Sequence, residues 1–93
     1  MQITVTRQCA ALGLAEAVVS SHQASPRGLK NALRSAAALY PEMVSAYGNR
    51  SGVQVYVVYG ERRLRAHEIG RAIQFDFEGS TYSASEIEMA DLA

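Results

Sequence analysis

The chain has 93 residues, of which 48% are hydrophobic and 19% are charged, and its formal net charge is zero. This length allows a single domain, residues 1–93, and the composition excludes a disordered chain. A single cysteine, Cys9, excludes an internal disulfide framework and indicates the reducing environment of the cytoplasm. The first residues lack a signal-peptide pattern and residues 9–19 are too short to span a bilayer, so we expect no membrane association.

The first elements predicted are a strand and a helix. Met1, Ile3 and Val5 alternate with polar residues, which is the period of a half-buried strand. Thr6 is a suitable capping residue, and a helix is predicted over residues 7–21, with an apolar stripe formed by Ala11, Leu14, Ala15 and Val18. Gly13 lies inside this predicted helix, where it costs roughly 1 kcal/mol relative to alanine.

The clearest helical pattern is SPRGLKNALRSAAALY, which begins at Ser25. Ser25 is a good N-cap, and Pro26 suits the first turn because its missing N–H would have no partner there. Apolar side chains recur at helical spacing, and the opposite side is basic, with Arg27, Lys30 and Arg34. Pro41 is predicted to end this helix and to begin a short one over residues 41–47, followed by a turn over residues 48–52.

Two later segments have the alternation of strands. Residues 53–59, VQVYVVY, place three valines and Tyr59 on one face and Tyr56 on the other. Residues 73–77, IQFDF, place Ile73 and both phenylalanines inward.

Residues 62–72 between these strands are compatible with either a strand or a helix. As a strand, they place Arg63, Arg65 and His67 on the outer face, and Gly60-Glu61 makes a hairpin with residues 53–59. As a helix, they place Ala66, Ile69, Gly70 and Ile73 on one side. The available hairpin partner favours the strand.

The last elements predicted are a short return strand at residues 81–82 and a helix over about residues 84–92. Ser83 and Glu86 have the spacing of a capping box. A helix this short must dock or fray. The whole pattern predicts a β-α-α-β-β-β-α order and an α+β domain, with helices packed on one face of an antiparallel sheet.

Zero net charge conceals a polarity along the chain. Residues 1–50 carry +3, residues 51–74 carry +2, and residues 75–93 carry −5. The acidic end either folds back onto the basic body or faces a different partner, and folding back is the simpler arrangement.

The residues that usually carry chemistry are few. Cys9, His22 and His67 are all the cysteine and histidine that the chain has, and no glycine pattern cradles a phosphate. Cys9 is interpreted as a small buried residue and His22 as a partner of helix-terminal carbonyls. His67 and Glu68 would point to opposite faces of a strand. We therefore expect no enzyme activity, no cofactor and no metal site.

Nucleic acid is one partner that the charge pattern allows. Arg27, Lys30 and Arg34 would form a basic helix face, and the arginines of residues 62–71 a basic sheet edge. If both faced the same way, several phosphates could be neutralised together. The lack of net positive charge and the acidic C-terminal segment count against this alternative.

A protein partner is the favoured hypothesis. Arginine and tyrosine often anchor interfaces, and the candidate contact residues are Tyr56, Arg62, Arg63, Arg65, His67 and Arg71. Carboxylates on an acidic partner surface would accept bidentate arginine contacts there. Size and missing chemistry fit an accessory inhibitor of the kind that phages and mobile elements encode, such as an anti-CRISPR protein, although no residue pattern identifies that class. A homodimer through an open sheet edge is also compatible with the pattern.

Overall fold

The computed structural model describes residues 2–48 and 52–92. Its strands are β1 (Gln2–Cys9), β2 (Leu14–Gln23), β3 (Val53–Tyr59), β4 (Arg62–Ile69), β5 (Ala72–Phe77) and β6 (Ser80–Tyr82). Its helices are α1 (Pro26–Tyr47) and α2 (Met89–Leu92), with single 3-10 turns at Ala10–Leu12 and Ala84–Glu86.

The six strands form one antiparallel sheet in the order β2-β1-β3-β4-β5-β6. Helix α1 packs across one face of this sheet, which we call the inner face. The predicted α+β class, with an antiparallel sheet and helix on one face, is confirmed, and the order of elements agrees in outline.

The predicted helix over residues 7–21 is wrong. Residues 2–9 and 14–23 instead form the hairpin of β1 and β2, connected through the 3-10 turn. Gly13 ends that turn with φ of 70°, a left-handed conformation that glycine adopts without penalty. Pairing along β1 satisfies the backbone of this Ala-rich segment, so tertiary contacts override its helical propensity.

The roles assigned within that predicted helix change with it. Thr6 is a buried residue of β1 and caps no helix. His22 lies in β2, where its Nε2 is 2.9 Å from the hydroxyl oxygen of Ser20, so it contacts no helix-terminal carbonyls. The interpretation of Cys9 as a small buried residue is confirmed, because its side chain has no exposed surface.

Helix α1 begins as predicted and ends later than predicted. The Ser25 hydroxyl oxygen accepts a hydrogen bond from the Gly28 N–H at 3.0 Å. Pro41 does not end the helix, which continues to Tyr47 and is capped by Gly48. Pro41 is exposed, so the carbonyl that loses its N–H partner lies on the side of α1 that water can reach.

Helix α1 meets strand β2 at a very close approach. A Cβ atom added at Gly28 would lie 1.7 Å from the backbone oxygen of Gln23. Only glycine fits this contact, because a backbone atom cannot move away as a flexible side chain can. Gly28 therefore sets how closely the first turn of α1 packs on the end of β2.

The core lies between α1 and the inner face of the sheet. Its fully buried side chains include Ile3, Val5, Leu33, Val55, Val57, Leu64 and Phe75. Burial of such aliphatic and aromatic side chains contributes roughly 1.5–3 kcal/mol each to folding. The predicted inward residues of β3 and of β5 are confirmed, with Phe75 and Phe77 buried and Ile73 packed against the core.

Residues 62–69 form strand β4, as favoured from the sequence, and β4 pairs with both β3 and β5. The loops that flank it begin with Gly60 and Gly70, whose φ angles are 60° and 63°. The β5–β6 turn uses Glu78 and Gly79, both with positive φ as a type I′ turn requires. These three tight turns fix the register of the outer half of the sheet.

The C-terminal segment folds back onto the domain. The capping box of Ser83 and Glu86 forms as predicted, but it opens a single 3-10 turn, and α2 is only four residues long. Ile87 and Leu92 are buried in the core, so the segment docks. The backbone N–H of Ser83 donates to the Glu86 carboxylate, and so does the Ser83 hydroxyl. Both hydrogen bonds lower the pKa of Glu86 from its ordinary value, the backbone one more strongly.

Two predictions fall outside the described residues. Met1 was expected to extend the first strand, and residues 49–51 form the middle of the predicted turn at 48–52. Within residues 2–48 and 52–92, no helix combines the length and apolar composition needed to cross a bilayer.

Candidate functional site on the outer face of the sheet

The sheet face that α1 does not cover, which we call the outer face, carries a row of polar side chains. Residues paired across antiparallel strands point to the same face, so the register places four of them side by side. Thr6 of β1 pairs with Tyr56 of β3, Tyr56 with Arg65 of β4, and Arg65 with Asp76 of β5. The row therefore crosses four neighbouring strands.

Arg63 lies across this row and holds it together. Its guanidinium carbon is 4.3 Å from the centroid of the Tyr56 ring, a cation–π contact. Its Nη2 donates to Oε2 of Glu16 on β2 at 2.5 Å. The same carboxylate oxygen accepts a hydrogen bond from the Thr6 hydroxyl at 2.6 Å. One side chain of β4 thus reaches over β3 and β1 to the edge strand.

Glu16 is held in its ionised form by these contacts. The hydrogen bond from Thr6 is the largest cause that lowers its pKa from the ordinary value of a glutamate, and the hydrogen bond from Arg63 is the next. Both bonds favour the carboxylate over the carboxylic acid. The Arg63 charge is therefore largely neutralised within the protein, although its side chain remains 43% exposed.

Among the described side chains of the outer face, Arg65 is the arginine without a partner. It is exposed and forms no ion pair or hydrogen bond with another described side chain. Asp76, its neighbour on β5, accepts from the Thr81 hydroxyl at 2.8 Å and lies 3.3 Å from Nδ1 of His67. Arg65 has the open, charged geometry that a carboxylate of a partner would need for a bidentate contact.

His67 is half-buried beside that aspartate. Its side chain is 22% exposed, and the Nδ1 atom is shielded from water. The 3.3 Å separation from the Asp76 oxygen meets the distance for an ion pair but not the angles of a hydrogen bond. The ring of His67 therefore lies against Asp76 and has little surface left for a partner.

The structure does not bring all six predicted contact residues together. Tyr56, Arg63, Arg65 and His67 share the outer face, as the hairpin predicted. Arg62 is two residues from the buried Leu64 along β4, so the two side chains lie on the same, inner face. There the guanidinium carbon of Arg62 is 5.6 Å from the centroid of the Phe77 ring, and Arg62 forms an ion pair with Glu78. Arg71 lies in the exposed β4–β5 turn. Neither Arg62 nor Arg71 belongs to the row.

Three members of the site were not identified from the sequence: Thr6, Glu16 and Asp76. Glu16 was assigned to a helix, and that assignment hid its proximity to the arginines. One signal indicated that the first strand is longer than predicted. The polar residues Gln2, Thr4, Thr6 and Gln8 alternate with other residues beyond the predicted end of that strand. Gly13 was a second signal, since glycine is typical of a turn between two strands.

The basic helix face predicted for nucleic acid lies on the other side of the domain. Arg27, Lys30 and Arg34 are exposed on the side of α1 opposite its buried residues. Within the described parts of the chain, none of these three cations forms an ion pair. Because α1 covers the inner face, its basic side and the outer face point away from each other. The condition for neutralising several phosphates together, that both basic sets face the same way, is therefore not met.

The docked C-terminal segment borders this basic helix face without neutralising it. Lys30 and Glu88 both line the groove between α1 and the segment, but no ion pair joins them. Two carboxylates of the segment instead accept hydrogen bonds from backbone N–H groups of the same segment. Asp91 accepts from the Glu88 N–H at 2.9 Å, and Glu86 accepts from the Ser83 N–H at 2.8 Å.

The cysteine and the two histidines lie apart in the fold. Cys9 is buried at one end of β1, His22 pairs with Ile3 near the other end, and His67 is on the outer face of β4. Among the residues that the structure describes, no group of three or more histidine, cysteine or acidic side chains could hold a metal ion. No protein-family model matches the chain, and comparisons with curated proteins and with solved structures found no match.

Proposed function

We propose that this protein is a small protein-binding module whose outer face contacts an acidic surface on a larger protein. The observation that carries the proposal is the uncovered sheet face, on which a tyrosine stacked under Arg63 lies beside the unpaired cation of Arg65. Tyr56 is pre-ordered by this stacking, so binding would cost little side-chain entropy there. Arginine and tyrosine on a rigid sheet are typical of interface anchors.

The mode of action proposed is steric. A rigid domain of this size acts by occupying a surface that another macromolecule needs, and a standard interface of about 800 Å² per partner is within reach of one sheet face. The proposal therefore describes an accessory inhibitor, of the kind that phages and mobile elements encode against larger complexes. We place it in the cytoplasm, where the thiol of Cys9 would stay reduced.

A second candidate function is nucleic-acid binding by the basic helix face. The observation in its favour is that Arg27, Lys30 and Arg34 are all exposed and unpaired among the described residues. Three phosphate contacts are few for a specific complex, and the acidic C-terminal segment docks beside them. The outer face is the stronger candidate because it combines charge with an ordered aromatic ring.

Two charge reversals on opposite sides of the domain separate these functions. Arg65→Glu and Arg34→Glu change the net charge by the same amount, and both side chains are exposed without partners among the described residues. Because Arg65→Glu places a carboxylate opposite Asp76, thermal unfolding first checks that both variants remain folded. Wild type and both variants are used to capture proteins from a lysate of the native host, and the captured protein is then titrated in purified form. We expect Arg65→Glu to weaken binding by at least about tenfold and Arg34→Glu to change it little.

Equal loss in both variants would indicate only a general charge effect, and loss in Arg34→Glu alone would move the site to the helix. Both outcomes contradict the proposed contact through the outer face. Arg63→Glu is a poor test, because it would place two carboxylates together at Glu16 and remove the stacking on Tyr56. Its expected result is lower stability, which would confound any loss of binding.

A further inference from the structure

The two edges of the sheet are very different. At one edge, β6 has only three residues, which is a common way to make an edge a poor template for further pairing. At the other edge, β2 has ten residues, and six of them are exposed: Ala15, Glu16, Val18, Val19, Ser21 and Gln23. Among the described residues, no strand pairs with the backbone groups on one side of this long strand.

Strand β2 has almost none of the features that protect an edge. It contains no lysine and no proline, and its only charged residue, Glu16, is tied to Thr6 and Arg63 on the outer face. Its middle is apolar instead, with Val18 exposed by 60% and Val19 by 50%. Its protective features are two irregularities in its pairing with β1, a β-bulge at Val19 and a second register shift between Leu14 and Ala17. That bulge leaves both valines in contact with water.

We propose that β2 pairs with β2 of a second copy of this chain, which extends the sheet through a two-fold axis. The midpoint of Leu14–Gln23 falls between Val18 and Val19, and antiparallel pairing about this point would align residues 16–21 of the two copies. This pairing would bury Val18 and Val19 of one copy against Val18 and Val19 of the other. A contact made by the same patch on both copies is the commonest form of homodimer.

The charges of β2 allow this pairing. About that midpoint, Glu16 faces Ser21 of the second copy, and the two Glu16 side chains lie five positions apart along the strands, or roughly 17 Å. No like charges meet directly. A partner of different sequence is not needed to complement the strand, because the valines at its middle meet the same valines of the second copy.

The axis that relates two antiparallel edge strands is perpendicular to the sheet. Both outer faces would therefore lie on the same side of the dimer, and both copies of α1 on the other. The dimer would present Tyr56, Arg63 and Arg65 twice on one continuous sheet surface. Two linked copies would bind a repeated or symmetric partner more tightly than one copy, because the second contact forms within the same complex.

Sedimentation velocity over a range of protein concentrations tests the proposal. We expect wild type to reach the mass of a dimer, and Val18→Lys and Val19→Lys each to weaken dimerisation by at least about tenfold, because each brings two like charges to the axis. Ile69→Lys is the matched control. Ile69 is 48% exposed on the interior strand β4, so the same loss of apolar surface and gain of charge occur away from the edge.

A wild type that stays monomeric at every concentration would overturn the proposal, and so would a dimer that both edge variants preserve. Open-ended assembly would equally contradict a closed two-fold contact. Amide hydrogen exchange of β2 gives a second measurement if one variant fails to fold, since protection of its backbone should rise with wild-type concentration. Arg65→Glu, on β4, should leave the dimer intact, so this test can fail independently of partner binding.

Discussion

Glu16 is the residue that connects most of the candidate site. Its carboxylate accepts hydrogen bonds from Thr6 and Arg63 through one oxygen and so links β2, β1 and β4. Arg63 in turn covers the ring of Tyr56. These side chains are partly exposed, so the contacts contribute more to the order of the surface than to the free energy of unfolding.

Glu16→Gln should make the protein less stable in a way that depends on pH. The folded-state pKa of Glu16 is lowered, so the stabilisation by its carboxylate is present above the unfolded pKa and is lost as pH falls through the folded pKa. We expect a loss of about 0.5–1 kcal/mol near neutral pH that shrinks towards zero below about pH 4. Urea unfolding at several pH values measures this difference.

Glu42→Gln is the control for that measurement. Glu42 is exposed on α1 and has no ion pair among the described residues, so its variant should not show the same change with pH. A Glu16→Gln difference that stays constant from neutral to acidic pH would contradict the role assigned to the carboxylate. Such a result would mean that the amide replaces it equally well.

Helix α1 is the element that organises the fold. Its buried residues cover the sheet, its first turn rests on β2 through Gly28, and its other side is exposed. It is continuous over 22 residues although Pro41 lies inside it. Packing of Tyr40 and Met43 on the core holds the helix on both sides of the proline, which explains why one missing hydrogen bond does not end it.

Pro41→Ala should stabilise the protein, because it restores a backbone N–H and removes a steric clash in the middle of α1. A proline inside a helix costs about 3 kcal/mol relative to alanine, and the more flexible unfolded chain offsets up to about 1 kcal/mol of that gain. We expect a net increase of about 2–3 kcal/mol in the free energy of unfolding, measured by urea titration.

Ser45→Ala serves as the control for helix propensity, since Ser45 is exposed on the same helix and keeps its N–H. It should change stability by only a few tenths of a kcal/mol. If Pro41→Ala instead lowers stability, the restriction that proline places on the unfolded chain outweighs the backbone hydrogen bond that alanine restores.

The whole molecule has two basic surfaces that cannot act together. The outer face carries Arg63 and Arg65, and the basic helix face points in the opposite direction. Among the described residues, the cations that lack internal partners are Arg65, Arg71 and the three helix cations. A single straight duplex can therefore contact one surface but not both.

This separation predicts weak binding to nucleic acid. Contact through the three helix cations alone gives a salt dependence no steeper than a log–log slope of about −2.7 on duplex DNA. We expect a dissociation constant no tighter than about micromolar near physiological salt, measured by fluorescence anisotropy. Sub-micromolar binding with a slope steeper than about −4 would require both surfaces and would contradict the two-layer arrangement.

Several parts of the fold were predictable because they depend on nearby residues. Ser25 and Pro26 define the start of α1, and Gly60 and Gly70 allow the tight turns on either side of β4. The alternation of residues 53–59 and 73–77 correctly assigned their inner and outer faces. These local signals predicted the α+β class and the grouping of Tyr56 with Arg63 and Arg65.

Other parts depended on contacts between distant residues. Residues 14–23 form a strand because β1 supplies a hydrogen-bonding partner, and the bulge at Val19 breaks the alternation that would have indicated it. The ion pair of Glu16 with Arg63 joins residues 47 positions apart. Sequence alone determined the local preferences and the charges of this protein. Only tertiary structure decided which charges meet, because strand order and register bring distant side chains within hydrogen-bonding distance.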